Sequence, residues 1–171
     1  NLEEVQDNSG STNNGVVDAT VTIETLIAAI AGIPGAPTYE YRQLNPENNK
    51  DGGEPGGNIR VVFLFNPDRV SFVEGTLQRL TDPTPGDGND PFEASRKPLV
   101  GDFVFNGETV TVIGNHFNSK GEDDPLFGPT QPPVLASEVQ RNAQADVVGD
   151  FIDAKLAAKP GAYVVVAGDL N

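Results

Sequence analysis

The chain has 171 residues, 37% of them hydrophobic, a length and apolar share that suit one folded domain with a sizeable core. With 25 acidic and 11 basic residues it carries a net charge of -14, which argues against a basic nucleic-acid-binding arm and favours a soluble, cation-rich or extracellular setting. Cysteine is absent, which excludes disulfides and thiolate metal sites, and the uncharged apolar stretch around Leu26 to Ile33 is too short to span a bilayer.

In chain order, "NLEEVQDN" reads as the end of a strand running into a polar loop. "TIETLIAAIAGIPG" sets Ile23, Leu26, Ile27 and Ile30 at helical spacing and closes on Gly32 and Pro34. "PTYEYRQL" alternates as a strand. "IRVVFLFNP" and "VSFVEGTLQRL" read as two strands, with Asn66-Pro67-Asp68-Arg69 between them as a hairpin signal. The spans 45–58 and 82–95 are rich in Gly, Pro, Asn and Asp. They offer little apolar surface to offset the entropy of ordering, so they are expected to be mobile unless a cation pins their acids.

"KPLVGDFVFNGETVTVIGNHF" is a second hairpin, turning at Asn106-Gly107. "LASEVQRNAQADVVGDFIDAKLAAKPG" puts Leu135, Val139, Val147, Phe151 and Leu156 near one face of a long helix that ends at Pro160-Gly161. The run Tyr163 to Ala167 reads as a buried strand that delivers Gly168, Asp169, Leu170 and Asn171 at its end. Antiparallel hairpins mixed with helices make this an α+β chain with a mixed sheet.

The chemistry-bearing residues gather at strand ends. Glu3 and Glu4 lie at the end of the first strand, His116 ends "TVTVIGNH", and Asp169 and Asn171 come at the end of the last. Hard divalent cations take one or two carboxylates and complete their shell with water. Phosphodiester cleavage needs such a clamp, a positioned water and a group to protonate the leaving oxygen. A Glu, a His and an Asp-x-Asn at one rim would supply that set. Each also has an ordinary structural reading: a satisfied surface histidine, an Asx-stabilised turn, solvated charge. The acidic loops "KGEDDP" and "PGDGND" are candidates for Ca²⁺, although neither matches the twelve-residue EF-hand pattern.

"LEEVQDN", "IRVVFLFNPDRVSF", "SRKPLVGDFVFNGETVTVIGNHFNSK", "EVQRNAQADVV" and "YVVVAGDLN" occur in an order that resembles the endonuclease/exonuclease/phosphatase superfamily. Within it, the likeness is to large secreted bacterial nucleases related to deoxyribonuclease I. The resemblance implies a four-layer α/β/β/α sandwich of two mixed, mainly antiparallel sheets, and phosphodiester hydrolysis with Mg²⁺ or Mn²⁺. It implies that Glu4 binds the metal and that His116 contacts the phosphate and assists the leaving group. Asp169 and Asn171 would orient water or metal and hold a phosphoryl oxygen. Arg96 would contact phosphate, where its fork suits bidentate binding better than Lys97 does. Asn118 and Lys120 are further substrate-contact candidates.

The same resemblance implies a nucleic acid substrate, DNA first, and an extracellular or periplasmic location. It makes residues 1–171 a single domain whose first strand would precede Asn1 and whose C-terminal part, with a terminal Asp-His pair, would follow Asn171. On that expectation the 171-residue chain alone is inactive or very slow. Gln6 stands where some deoxyribonucleases have a DNA-contacting arginine. Two other readings stay open. One is a non-catalytic acidic or Ca²⁺-binding module on the same scaffold, and the other a sphingomyelinase- or phosphatase-type phosphoesterase.

Overall fold

In "RVVFLF" the residues Val61, Phe63 and Phe65 fall on one side of a strand and Val62 on the other, and all four are buried. A strand with two apolar faces must lie between two layers. In the computed structural model, which describes residues 1–51, 54–81, 90–121 and 123–171, it does. The elements in chain order are β1 (Leu2–Val5), α1 (Thr20–Ala31), β2 (Glu40–Arg42), β3 (Arg60–Phe65), β4 (Ser71–Phe72) and β5 (Gln78–Arg79). They continue with β6 (Leu99–Phe105), β7 (Glu108–His116), α2 (Ala136–Ala158) and β8 (Tyr163–Asp169).

β3 is the centre of one sheet, antiparallel to β1 on one side and β2 on the other. The second sheet runs β4-β6-β7-β8, with β5 also pairing β6. Its pairs are antiparallel except β7 with β8, which are parallel and connected through α2. A parallel pair needs such a long crossover, so α2 follows from the pairing.

Three apolar clusters define the layers. Ala19, Ile23 and Ile27 of the α1 region pack on Val62, Leu2 and Val5. Val61, Phe63 and Phe65 of β3 meet Leu99 and Phe103 of β6 between the sheets. Phe103 is the hub there, edge-on to Phe63, Phe65 and Phe72 at 5.2–5.6 Å. Val100, Ile113 and Val164 face the opposite way and pack on Val147, Val148, Phe151 and Ile152 of α2. The architecture is the α/β/β/α sandwich that the resemblance implies.

Four local expectations are corrected. The Asn66–Arg69 segment is a turn, with Arg69 and Val70 N–H groups on the Asn66 carbonyl at 3.1 Å, but it does not make a hairpin. Both edges of β3 are already taken by β1 and β2, so β4 crosses to the other sheet and pairs β6. β8 is not buried. It is an edge strand, with Tyr163, Val165 and Val166 exposed. On α2, Val139 and Leu156 are exposed, and the buried positions are Ser137, Gln144 and Val148. On α1, Leu26 is exposed while Ile23 faces the sheet.

Of the two spans expected to be mobile, residues 52, 53 and 82–89 lie outside the described residues. The described part of 45–58 is hydrogen-bonded to the rest of the fold. Asp51 accepts from Lys97 Nζ and Arg79 Nη1, each at 2.7 Å, and from the Glu47 N–H at 2.8 Å. The Asn58 amide reaches Asp7 Oδ2 at 2.9 Å and the Val16 carbonyl at 2.7 Å.

Candidate active site

β7 alternates Val112 toward the other sheet and Ile113 toward α2, so the strand end is held from both sides. His116 is its last residue and sits in register opposite Asp169 of β8. The Phe117 N–H donates to the Asp169 carbonyl at 2.9 Å, which extends the pairing one step past the histidine. The Phe117 carbonyl then accepts from Arg96 Nη2 at 2.6 Å and from Asn171 Nδ2 at 3.1 Å. The Asn171 N–H donates to Asp169 Oδ1 at 2.8 Å, closing an Asx turn. His116, Asp169, Asn171 and Arg96 therefore share one rim.

Glu4 reaches the same rim from the first sheet. The β1–β3 register breaks between Leu2 and Val5, and Glu4 occupies the left-handed region at φ 54°. For a non-glycine residue that conformation costs about 1–2 kcal/mol. Bulges of this kind re-aim side chains, often beside functional sites. Here the exposed carboxylate lies 3.7 Å from His116 Nε2.

Electrostatics decide what that contact is. Burial pushes the His116 pKa down, and the Arg96 guanidinium pushes the same way, against the opposing pull of Glu4, Asp169 and Glu3. The imidazole is neutral at pH 7, so the 3.7 Å approach is not an ion pair. Arg96 is itself lowered by burial, partly offset by Glu4 and Asp169, but an arginine keeps its charge at neutral pH. Cation and carboxylates face one another across an open pocket of about 420 Å³ lined by Glu4, Gln6, Glu54, Arg96, His116 and Asn118.

The remaining candidates separate. Asn118 lines the pocket and its backbone N–H donates to Gln144 Oε1 at 2.9 Å. Lys120 is exposed and does not line it. Gln6 lines it, hydrogen-bonded to Glu54. Gln144 is the residue that the sequence reading missed. Fully buried on α2, it also donates to the Pro91 carbonyl at 3.0 Å and to Ser95 Oγ at 3.1 Å. It thus ties the segment after His116 to the segment carrying Arg96. A polar residue on the inward helix face, between Gln140 and Val148, was the available signal.

Among the described residues no group of three or more His, Asp or Glu side chains gathers as a metal cage. The rim instead offers the exposed Glu4 carboxylate and the second oxygen of Asp169. That donor set fits Mg²⁺, which takes one or two carboxylates and keeps several waters.

A two-sheet sandwich of this kind has counterparts among solved structures. No family model matches the chain, and no curated protein matches it in sequence. In fold it is similar to a selenomethionine form of TDP2 from Caenorhabditis elegans, with TM-score 0.55, 18% identity and coverage of 99% of this chain and 36% of that one. A truncated C. elegans TDP2 gives 0.53 and 17%, covering 99% and 47%. D. rerio TDP2 complexed with single-strand DNA product gives 0.50 and 19%, covering 99% and 46%. These neighbours belong to the endonuclease/exonuclease/phosphatase superfamily, and at this identity the likeness establishes the fold. They are TDP2 structures rather than the secreted bacterial nucleases that the motifs resemble. The chain spans less than half the length of these solved chains.

Proposed function

We propose that the chain carries the core of a divalent-metal-dependent phosphodiester hydrolase acting on nucleic acid. The observation that carries this reading is that Arg96, His116, Asp169 and Asn171 meet around the Phe117 backbone, while Glu4, Arg96 and His116 line the pocket beside it, although Asp169 and Asn171 do not. The D. rerio neighbour complexed with single-strand DNA product supports nucleic acid as the substrate class. The motifs shared with secreted deoxyribonuclease-like enzymes favour DNA and an extracellular or periplasmic setting.

Glu4, with the free oxygen of Asp169, would hold the Mg²⁺ or Mn²⁺ ion. When bound, such an ion polarises a phosphoryl oxygen and lowers the pKa of a coordinated water. The chain's own residues have distinct tasks. Arg96 is fixed by the Phe117 carbonyl and presents its charge to the phosphate. Among the described residues His116 Nδ1 is buried without a partner, and a buried orphan N–H is rarer than an orphan acceptor, so its proton belongs on Nε2. From there the N–H donates to a phosphoryl or leaving oxygen. Asp169, exposed at the rim, accepts the Asn171 N–H with one oxygen and would orient water or metal with the other. Asn171, anchored through Nδ2, supports a phosphoryl oxygen.

The test is a plasmid-nicking time course on the 171-residue chain and on a longer protein in which the chain is extended at both ends as the resemblance implies, with Mg²⁺ or Mn²⁺ and with EDTA. The longer protein should cleave only with metal. In it, His116→Ala and Asp169→Ala should each reduce turnover by about 10² to 10⁴, with DNA binding little changed. The short chain should be slow or silent. A longer protein inert toward phosphodiesters and phosphomonoesters alike would reject the reading in favour of an acidic binding module.

A further inference from the structure

After His116 the chain lines the open pocket with Asn118 and Ser119, leaves the rim, and returns as the start of α2. Residues 123–135 of this excursion form neither helix nor strand, yet they are tied at base and tip. At the base the Asp124 N–H donates to the Val134 carbonyl at 2.9 Å, and the Val134 N–H to Asp124 Oδ2 at 3.0 Å. Toward the tip the Gly128 N–H reaches the Pro125 carbonyl at 2.8 Å, and Gln131 Nε2 donates to the Leu126 and Gly128 carbonyls, each at 3.1 Å. Pro125, Pro129, Pro132 and Pro133 remove further backbone freedom.

What this bonded loop holds up is apolar. Phe127 is 99% exposed and Leu126 66%, whereas Phe63, Phe92, Phe103 and Phe117 are buried. A ring left in water forgoes the gain of burial, and a loop already fixed has met the entropy cost of presenting it. The base of the loop is also fastened to the pocket. Arg141 Nη1 donates to the Asn118 carbonyl at 3.4 Å and to Ser137 Oγ at 2.7 Å, while Nη2 lies 3.9 Å from Asp123 Oδ2. The Ser137 N–H donates to the other Asp123 oxygen at 2.9 Å. From Asp123 to Phe127 the chain reaches at most about 14 Å. The ring therefore stands within a few nucleotides of Asn118, at about 3.4 Å per nucleotide of a stacked strand.

The dimensions and charge of the tip select its partner. A stable protein interface takes about 800 Å² from each side, and one aromatic side chain supplies about 150–250 Å². Peripheral membrane binding sets Lys or Arg beside the apolar residues. Here Asp123 and Asp124 stand beside them, and no basic residue occurs from Gly121 to Ala136. Base stacking needs one exposed ring, is uncharged, and adds to phosphate contacts made elsewhere.

We propose that Phe127 is a nucleobase-stacking platform. A base of a single strand whose phosphate lies at Arg96 and His116 stacks on its ring, with the exposed Lys120 beside the intervening phosphates. The strand is single because the bases of a duplex are already stacked on one another. This rests on the nucleic-acid reading above and adds to it a base contact outside the pocket.

The chain has no tryptophan, so Phe127→Trp places one indole at the tip as a reporter. That variant of the 171-residue chain is titrated in Mg²⁺ with oligothymidylate, with an abasic phosphodiester chain of equal length, and with phosphatidylcholine vesicles. Oligothymidylate should quench the indole, and the abasic chain and the vesicles should leave its emission unchanged. In anisotropy titrations Phe127→Ala should weaken binding of labelled oligothymidylate by about 5- to 150-fold, with Phe127→Tyr close to the parent. Equal quenching by the abasic chain, or none by either, would overturn the proposal. So would a blue shift with vesicles, which marks a membrane contact, or one that grows with protein concentration alone, which marks self-association. The two readings fail separately. Quenching by bases in a protein inert toward phosphodiesters would remove hydrolysis and keep the platform, and normal nicking with an unquenched indole would remove the platform alone.

Discussion

His116 is neutral because it is buried beside a guanidinium, and this gives the fold a pH dependence with a definite sign. Its folded pKa lies below the value near 6.5 that the unfolded chain has. Between the two, the unfolded state binds more protons, so stability rises with pH in that window. The contribution is fully present above about pH 6.5 and is lost as pH falls toward the folded value. Denaturant midpoints at about pH 5.5 and 7.5 should therefore differ more for the native chain than for His116→Gln. An equal pH response in both proteins would show that the imidazole is not held neutral. His116, Asp169 and Asn171 were legible because each follows a run of β-branched residues, so their positions come directly from strand ends. Glu4 was legible as a residue but not as a bulged one, since a left-handed backbone has no signature in "LEEV". Gln144 was hidden for a different reason. Its task depends on three partners brought together only by tertiary packing.

At the scale of elements, turn chemistry was readable and pairing partners were not. Asn106 and Gly107, at φ 51° and 82°, form the two-residue turn that their identities demand, and β6 and β7 pair directly across it. Asn66–Arg69 turns just as well, yet β4 pairs elsewhere because neither edge of β3 is open to it. A turn sequence fixes a reversal of direction, and the sheet decides who the neighbour is. The β7–β8 pair is where an element bears on the site, because its register sets His116 against Asp169. Gly168 makes that register possible. It sits at φ 123°, and a Cβ there would overlap the Asn115 carbonyl oxygen. Asn115 adds a clamp by donating from its side chain to the Ala167 carbonyl at 3.2 Å. Gly168→Ala should cost about 2–3 kcal/mol in equilibrium unfolding, combining backbone strain with the steric shift. It should also impair cleavage by the longer protein more than Gly149→Ala does, since a Cβ at Gly149 meets nothing within 4 Å. A Gly168→Ala protein as stable and active as the parent would mean that the strand pair tolerates a looser register.

For the whole molecule, the charge of -14 was the most legible feature and the one that fits a nucleic acid substrate least well. Proteins that bind nucleic acid through lysines and arginines lose affinity steeply as salt rises, because counterions are no longer released at a profit of entropy. Here the cations near the rim are few, and Arg96 at the pocket, Arg60 and Lys97 are largely enclosed, leaving Arg79 exposed. The surrounding surface repels a polyanion. At about 10 mM salt that repulsion reaches about 30 Å, across the molecule, whereas at about 150 mM it is screened beyond about 8 Å. Binding of a single-stranded oligonucleotide to the 171-residue chain in EDTA should therefore be weak, and should hold or strengthen as monovalent salt rises through that range. Added Mg²⁺ should strengthen it further by masking carboxylates at the rim, Glu4 among them. The measurement is fluorescence anisotropy across that range of a single monovalent salt. A tenfold loss of affinity over the same salt range would show that an exposed cationic surface, rather than the acidic field, governs the encounter.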